Sequence, residues 1–176
     1  MTSTTNALTG FATGKRQNRP QDVGTPLNIL SAVSEAMGCI VLDPCGSRLH
    51  PTGAETTYHY PDMDGLKSDW VNGTYCNPPF EDLQKWLAKS AAEKQAGVRE
   101  QCLLVPVRPR SRWWCDYMHD IPTCIAWLKR VKFVGYLTSY PEALVLAYTG
   151  VCVPAFKQEI TRANLANLIT GPLQEH

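Results

Sequence analysis

The sequence is short of the features by which most ligand sites are recognised. It has no Cys-x-x-Cys pair among its 7 cysteines, only 4 scattered histidines and no Gly-x-Gly-x-x-Gly run. The cysteine number is odd, and Cys39, Cys102, Cys124 and Cys152 lie inside apolar runs. Such cysteines read as small buried hydrophobes in a reducing compartment and exclude a disulfide framework. Scattered histidines give no metal-ligand spacing, so no metal is expected. The missing glycine fingerprint disfavours a dinucleotide site. Ala143 to Phe156, an uncharged apolar stretch, is too short to span a bilayer and is broken by Gly150 and Pro154. Met1 to Leu8 is rich in Thr, Ser and Asn, unlike a signal peptide, so a soluble cytoplasmic protein is expected.

What is present is an ordinary globular composition: 176 residues, 44% hydrophobic and 19% charged, which argues for one compact domain without a separate recognition module. The net charge is only +1, but basic residues collect locally. Lys15, Arg16 and Arg19 form one knot near the start. Arg108, Arg110, Arg112, Lys129, Arg130 and Lys132 form another. Patches of this kind suit a polyanion-binding face. Residues 1–24 are polar, with little periodicity, and read as a flexible basic arm; residues 25–176 read as a single domain.

The elements alternate. Thr25 as cap and Pro26 at the first helical position open a helix that Gly38 stops, with Leu27, Leu30, Val33 and Met37 on its inner face. Cys39–Leu42 and Gly73–Cys76 read as short buried strands. A helix from Glu81 and Asp82 to Gly97 buries Leu83, Trp86 and Leu87. Further strands are expected at Cys102–Val105, Thr123–Leu128, Val131–Val134 and Ala143–Ala147, with a terminal helix over 159–170 carrying Leu165, Leu168 and Ile169. This alternation predicts an α/β sheet, mostly parallel, flanked by helices.

In such a sheet ligands bind at the carboxyl ends of the strands. Three strands end in unusual sequence: Asp43-Pro44-Cys45-Gly46, Asn77-Pro78-Pro79-Phe80, and the loop holding Arg108, Arg110, Arg112, Trp113 and Trp114. The second has a chemical logic. An exocyclic amine on a planar base is a poor nucleophile, because its lone pair is delocalised into the ring. The Asn77 side-chain carbonyl and the Pro78 backbone carbonyl can accept its two N–H bonds, which frees the lone pair toward a methyl donor. Pro78 and Pro79 stiffen the backbone around both acceptors, and Phe80 offers a surface on which a swung-out base stacks. Asp43 with its small-residue turn admits close approach of a nucleoside–amino acid ligand. Asp64, about 20 residues on, stands where a ribose-binding carboxylate is expected. The arginines suit phosphates and base edges, and the two tryptophans suit stacking. On these residues alone, N6 of adenine and N4 of cytosine remain alternative acceptors, beside a non-catalytic DNA-binding protein on the same scaffold.

Thr25-Pro26, Leu42-Asp43-Pro44-Cys45, Asp64-Gly65-Leu66 with Trp70, Tyr75-Cys76-Asn77-Pro78-Pro79-Phe80 with Trp86 and Lys89, and Val105-Pro106 with Arg108 and Trp113-Trp114 occur in one order along the chain. In that order and spacing the sequence resembles the small phage-type DNA N6-adenine methyltransferases, the Dam family of phages and prophages. The resemblance implies a trimmed Rossmann-like fold, S-adenosylmethionine as donor, adenine in double-stranded DNA as acceptor, and a bacterial host cytoplasm. It also implies that Thr25-Pro26, the Asp43 turn and Asp64 lie near the donor, and Asn77 to Phe80 around the target base.

Overall fold

The computed structural model describes residues 23–171. Lys15, Arg16 and Arg19, with nearly all of the expected arm, lie outside the described residues. Seven strands form one sheet, in the order β2-β1-β3-β4-β6-β5-β7. In chain order they are β1 (Leu42–Asp43), β2 (Thr56–Thr57), β3 (Thr74–Cys76), β4 (Gln101–Pro106), β5 (Cys124–Leu128), β6 (Leu144–Thr149) and β7 (Ala166–Thr170). The helices are α1 (Leu27–Met37), α2 (Leu83–Ala96), α3 (Arg112–Tyr117) and α4 (Val153–Arg162).

Successive strand residues point to opposite faces, and both faces here are apolar. On one, Tyr75, Cys102, Leu104, Ala126 and Leu146 meet Leu30 and Val33 of α1 and Phe156 and Ile160 of α4. On the other, Cys76, Leu103, Val105, Ile125 and Val145 meet Leu83, Trp86 and Leu87 of α2 and Trp114 of α3. The result is a sheet between two helical layers, with the core on both sides of β3, β4 and β6.

The expectation of a mostly parallel sheet is corrected. The β2–β1, β1–β3 and β3–β4 pairings are parallel and short. The β4–β6, β6–β5 and β5–β7 pairings are antiparallel and longer, so the sheet is mostly antiparallel. A strand buried on both faces is a continuous apolar run whichever way it points, so the sequence of β6 carries no sign of its direction. Because β6 lies antiparallel between β4 and β5, those two run the same way as β1 and β3. The carboxyl ends of β1, β3, β4 and β5 therefore share one edge. The Asp43 turn, the Asn77 tetrapeptide, the arginine loop and the long 129–143 loop all leave from it.

Three local expectations also change. Helix α1 starts at Leu27, with Pro26 in the cap position, and no side chain caps it. The expected strand over Val131–Val134 is a loop with a single bridge from Val134 to Gly24. Its alternation is real, with Val131 and Phe133 buried and Lys132 and Val134 exposed, but no neighbouring strand pairs with it. The terminal helix expected over 159–170 is instead the end of α4 followed by β7. Asn164 takes a left-handed conformation, φ 54°, that separates the two.

The edge position of β7 predicts a contrast. Leu168 is 55% exposed, whereas Leu146 is fully buried in β6. Leu146→Ala should cost about 2–5 kcal/mol in urea denaturation, and Leu168→Ala within roughly 0.5 kcal/mol of zero. A helix with Leu165, Leu168 and Ile169 on one inner face would instead make both substitutions costly.

Candidate functional site

Asp43 closes β1, the strand with β2 on one side and β3 on the other. The chain runs from β1 to β2 on one side and then crosses to β3 on the other, and in open α/β sheets ligands bind at such a switch point, at the carboxyl edge. The Asp43 side chain is only 3% exposed. One carboxylate oxygen accepts the Cys45 backbone N–H at 3.1 Å and the other the Thr52 hydroxyl at 2.9 Å. Burial pushes its pKa up, and these hydrogen bonds pull it partly back. Pro44, Cys45, Gly46 and Ser47 are all buried. A Cβ on Gly46 would run into the Thr57 methyl of β2 and lie 3.0 Å from the Asp43 carboxylate, so only glycine fits this close approach.

The Cys45 thiol joins this turn to the next strand. It donates to the Asn77 backbone carbonyl at 3.3 Å, and its sulfur lies 3.3 Å from that of Cys76. Burial holds both thiols in their protonated form, which keeps Cys45 a donor. Cys45 was expected at the cofactor; its side chain faces inward and fixes the backbone that leads into the tetrapeptide.

Asn77 to Phe80 leave β3 half-buried, apart from buried Pro78, and the Pro79 carbonyl accepts the Asp82 N–H as α2 begins. Among the described residues the Asn77 side-chain amide takes no hydrogen-bond partner, so its oxygen remains open to a ligand. The Phe80 ring meets Tyr140 edge-on at 5.5 Å and Phe133 at 6.4 Å between centroids. Phe133 and Tyr140 meet each other at 5.8 Å. These two aromatics, from the 129–143 loop, were missed in the sequence because Phe133 falls in the expected strand Val131–Val134 and Tyr140 in no expected element. The signal available was three aromatics, Phe133, Tyr136 and Tyr140, within a short stretch containing Gly135 and Pro141.

Thr25 is buried beside the same strand, and its hydroxyl hydrogen-bonds the Tyr75 phenol at 2.9 Å instead of capping α1. The Pro26 carbonyl accepts the N–H groups of Ile29 and Leu30. Asp64 is brought toward the Asp43 turn by its neighbour: Gly65 packs so closely on the Pro44 carbonyl that a Cβ would collide with it. The Trp70 indole N–H holds Gly65 there with a 2.8 Å bond to its carbonyl. The Asp64 carboxylate accepts the Leu66 N–H at 3.0 Å and lies 3.2 Å from the Lys67 ammonium. Asp62 is exposed and paired with Arg48.

The arginine loop divides. Arg108 is bound at both prongs by Glu142, with Nε to Oε2 at 2.7 Å and a terminal nitrogen to Oε1 at 2.8 Å. Arg110 and Arg112 are exposed, Arg112 with a loose 3.5 Å pairing to Asp116. Trp113 is half-buried, and Trp114, expected at DNA, lies in the core against Trp127. An aromatic pair in a six-residue helix presents one member inward, which explains the split. Among the described residues no group of His, Cys, Asp and Glu is placed to hold a metal ion, and no helix is long and apolar enough to cross a membrane.

A carboxylate buried this deeply costs stability when ionised, and the sign is testable. The folded-state pKa of Asp43 lies above the ordinary value of 3.8. The cost is therefore absent below that value and grows as pH rises through the raised pKa. Asp43→Asn should melt close to the wild type in acid and above it at neutral pH, by thermal denaturation across that range. A lower melting temperature at neutral pH would show that the ionised group stabilises the fold.

No curated protein and no solved structure matches the chain. The family model described as DNA N-6-adenine-methyltransferase (Dam) matches residues 14–149, a span holding both strand-end turns and the whole aromatic cluster. The match selects adenine over the cytosine alternative. The chain belongs to the DNA N-6-adenine-methyltransferase (Dam) family and is an adenine-specific DNA methyltransferase.

Proposed function

We propose that the crevice between the Asp43 turn and the Asn77 tetrapeptide binds S-adenosylmethionine beside an adenine flipped out of double-stranded DNA, on a trimmed Rossmann-like scaffold. The observation that carries this reading is the Cys45–Asn77 hydrogen bond, which makes the two turns neighbours at the switch point. The residues present fit the donor. Gly46 lets the turn close on Thr57, Asp43 orders that turn, Asp64 supplies a carboxylate beside it, and Asn77 holds an open acceptor. When bound, the donor supplies an electrophilic methyl group on a sulfonium.

The chain's own residues do the rest. The Asn77 amide oxygen and the Pro78 carbonyl accept the two N6 hydrogens, which withdraws the lone pair from the purine ring and gives the nitrogen nucleophilic character. The acceptors are fixed before the reaction, so little reorganisation is needed when charge develops. Phe80 stacks on the flipped base, and the amine proton leaves to solvent after in-line displacement. Thr25 and Pro26 flank the donor side through the Thr25–Tyr75 hydrogen bond. Arg110, Arg112, Arg130 and Lys132 are exposed along the carboxyl edge and supply charge for phosphates, with Trp113 beside them. Lys15, Arg16 and Arg19, outside the described residues, supply further positive charge for phosphates. The reaction takes place in the cytoplasm.

Asn77→Ala should lower methyl transfer from labelled S-adenosylmethionine into duplex DNA by about 10²–10³-fold or more. Donor affinity, measured by calorimetry, should stay within a few-fold of wild type. Transfer at near wild-type rate would remove Asn77 from the mechanism.

A further inference from the structure

The ion pair between Arg108 and Glu142 lies at the carboxyl edge but points away from the role that its arginine first suggests. A phosphate-binding arginine keeps its planar fork free for a bidentate contact. Here both prongs are closed on Glu142, at 2.7 and 2.8 Å. The Glu142 oxygen that takes the terminal nitrogen also accepts the Tyr140 phenol at 3.1 Å. The ring of Tyr140 in turn stands edge-on to Phe80 and to Phe133.

We propose that Arg108 and Glu142 are positioning residues that clamp Tyr140 against Phe80, so that Tyr140 forms a wall of the pocket for the target adenine. This rests on the reading of Phe80 as the ring on which the base stacks. Three loops meet in the clamp: Arg108 from the end of β4, Phe80 from the end of β3, and Tyr140 with Glu142 from the loop before β6. The backbone of the last loop is already fixed. The Tyr140 N–H bonds the Val131 carbonyl at 2.7 Å, and the Val107 N–H bonds the Ala143 carbonyl at 2.8 Å. What the ion pair adds is the direction of the phenol, and with it the tilt of the ring.

The electrostatics agree with a standing clamp. Arg108 holds the Glu142 carboxyl below the usual carboxylate range. Burial, together with the Glu142 charge, pushes the Tyr140 phenol up to about 12, so it remains a donor throughout the working pH range. The pair is open to water, with the Arg108 and Glu142 side chains 37% and 39% exposed. A pair this exposed contributes little to folding, so its removal can disturb a ring beside the substrate without unfolding the chain.

Kinetics and DNA binding separate a clamp from a phosphate contact. In the clamp, Arg108→Ala and Glu142→Ala each lower kcat about tenfold or more, since a misplaced pocket wall loses near-attack geometry. The double variant is no slower than either single one. Donor affinity, melting temperature and the salt slope of DNA binding stay at wild type. Arg108→Lys, which keeps the charge and loses the fork, behaves like Arg108→Ala, and Tyr140→Phe lowers kcat in the same way. If an alanine variant fails to fold, Arg108→Lys and Glu142→Gln carry the same readouts. The proposal is overturned if Arg108→Ala reduces the salt slope by about 0.9, the value for one lost phosphate contact, while Glu142→Ala methylates at the wild-type rate. Wild-type transfer to adenine, run alongside, tests the methyltransferase reading separately from the clamp.

Discussion

A single buried thiol couples the two turns on which the site depends. Cys45 sits at the end of one strand and donates to the carbonyl of Asn77 at the end of the next, with Cys76 packed against its sulfur. The thiol end of the bond is buried and the Asn77 end is half-buried, so breaking it would cost the carbonyl its protein partner. The two turns flank this contact. On one side the Asp43 carboxylate organises the turn through Cys45 and Thr52. On the other, two prolines carry the chain stiffly from Asn77 into α2. A larger side chain at position 45 would force the strand ends apart, because this interior is closely packed.

The antiparallel half of the sheet is what brings the 129–143 loop to the proposed site. Because β6 inserts between β4 and β5, the connection 129–143 must cross the same edge that carries the two turns. It brings Phe133 and Tyr140 to Phe80, and it ties back to the start of the described chain through the Gly24–Val134 bridge. A strictly parallel sheet would send this connection to the opposite edge. The departure from a parallel sheet therefore brings two further aromatic rings to the tetrapeptide.

The two strand-end turns were readable in the sequence, for a physical reason. Asp43-Pro-Cys-Gly46 and Asn77-Pro-Pro-Phe80 are local signals: turn-forming residues directly after short apolar strands, whose chemistry follows from a few adjacent side chains. What failed was what depends on distant partners. Leu165, Leu168 and Ile169 satisfy helical spacing, yet Ala166 to Thr170 pair with β5, and that pairing overrides the pattern. Thr25 has the side chain of a cap, but Tyr75, fifty positions away, takes its hydroxyl. Arg108 and Trp114 are expected at DNA from the alternating arginines and paired tryptophans; the structure pairs Arg108 with Glu142 and places Trp114 in the core, partners with no local signature. The direction of β6 had no local signature at all.

The central claim is spatial: the turn after β1 and the tetrapeptide after β3 are two walls of one ligand site. A crystal of the protein grown with S-adenosylhomocysteine tests it most directly. The predicted result is density for the ligand between residues 43–46 and Asn77–Phe80, with its sulfur directed toward the Asn77 amide and its ribose toward Asp43 or Asp64. Ligand bound elsewhere on the sheet, or bound at the Asp43 turn with its sulfur directed away from Asn77, would contradict it.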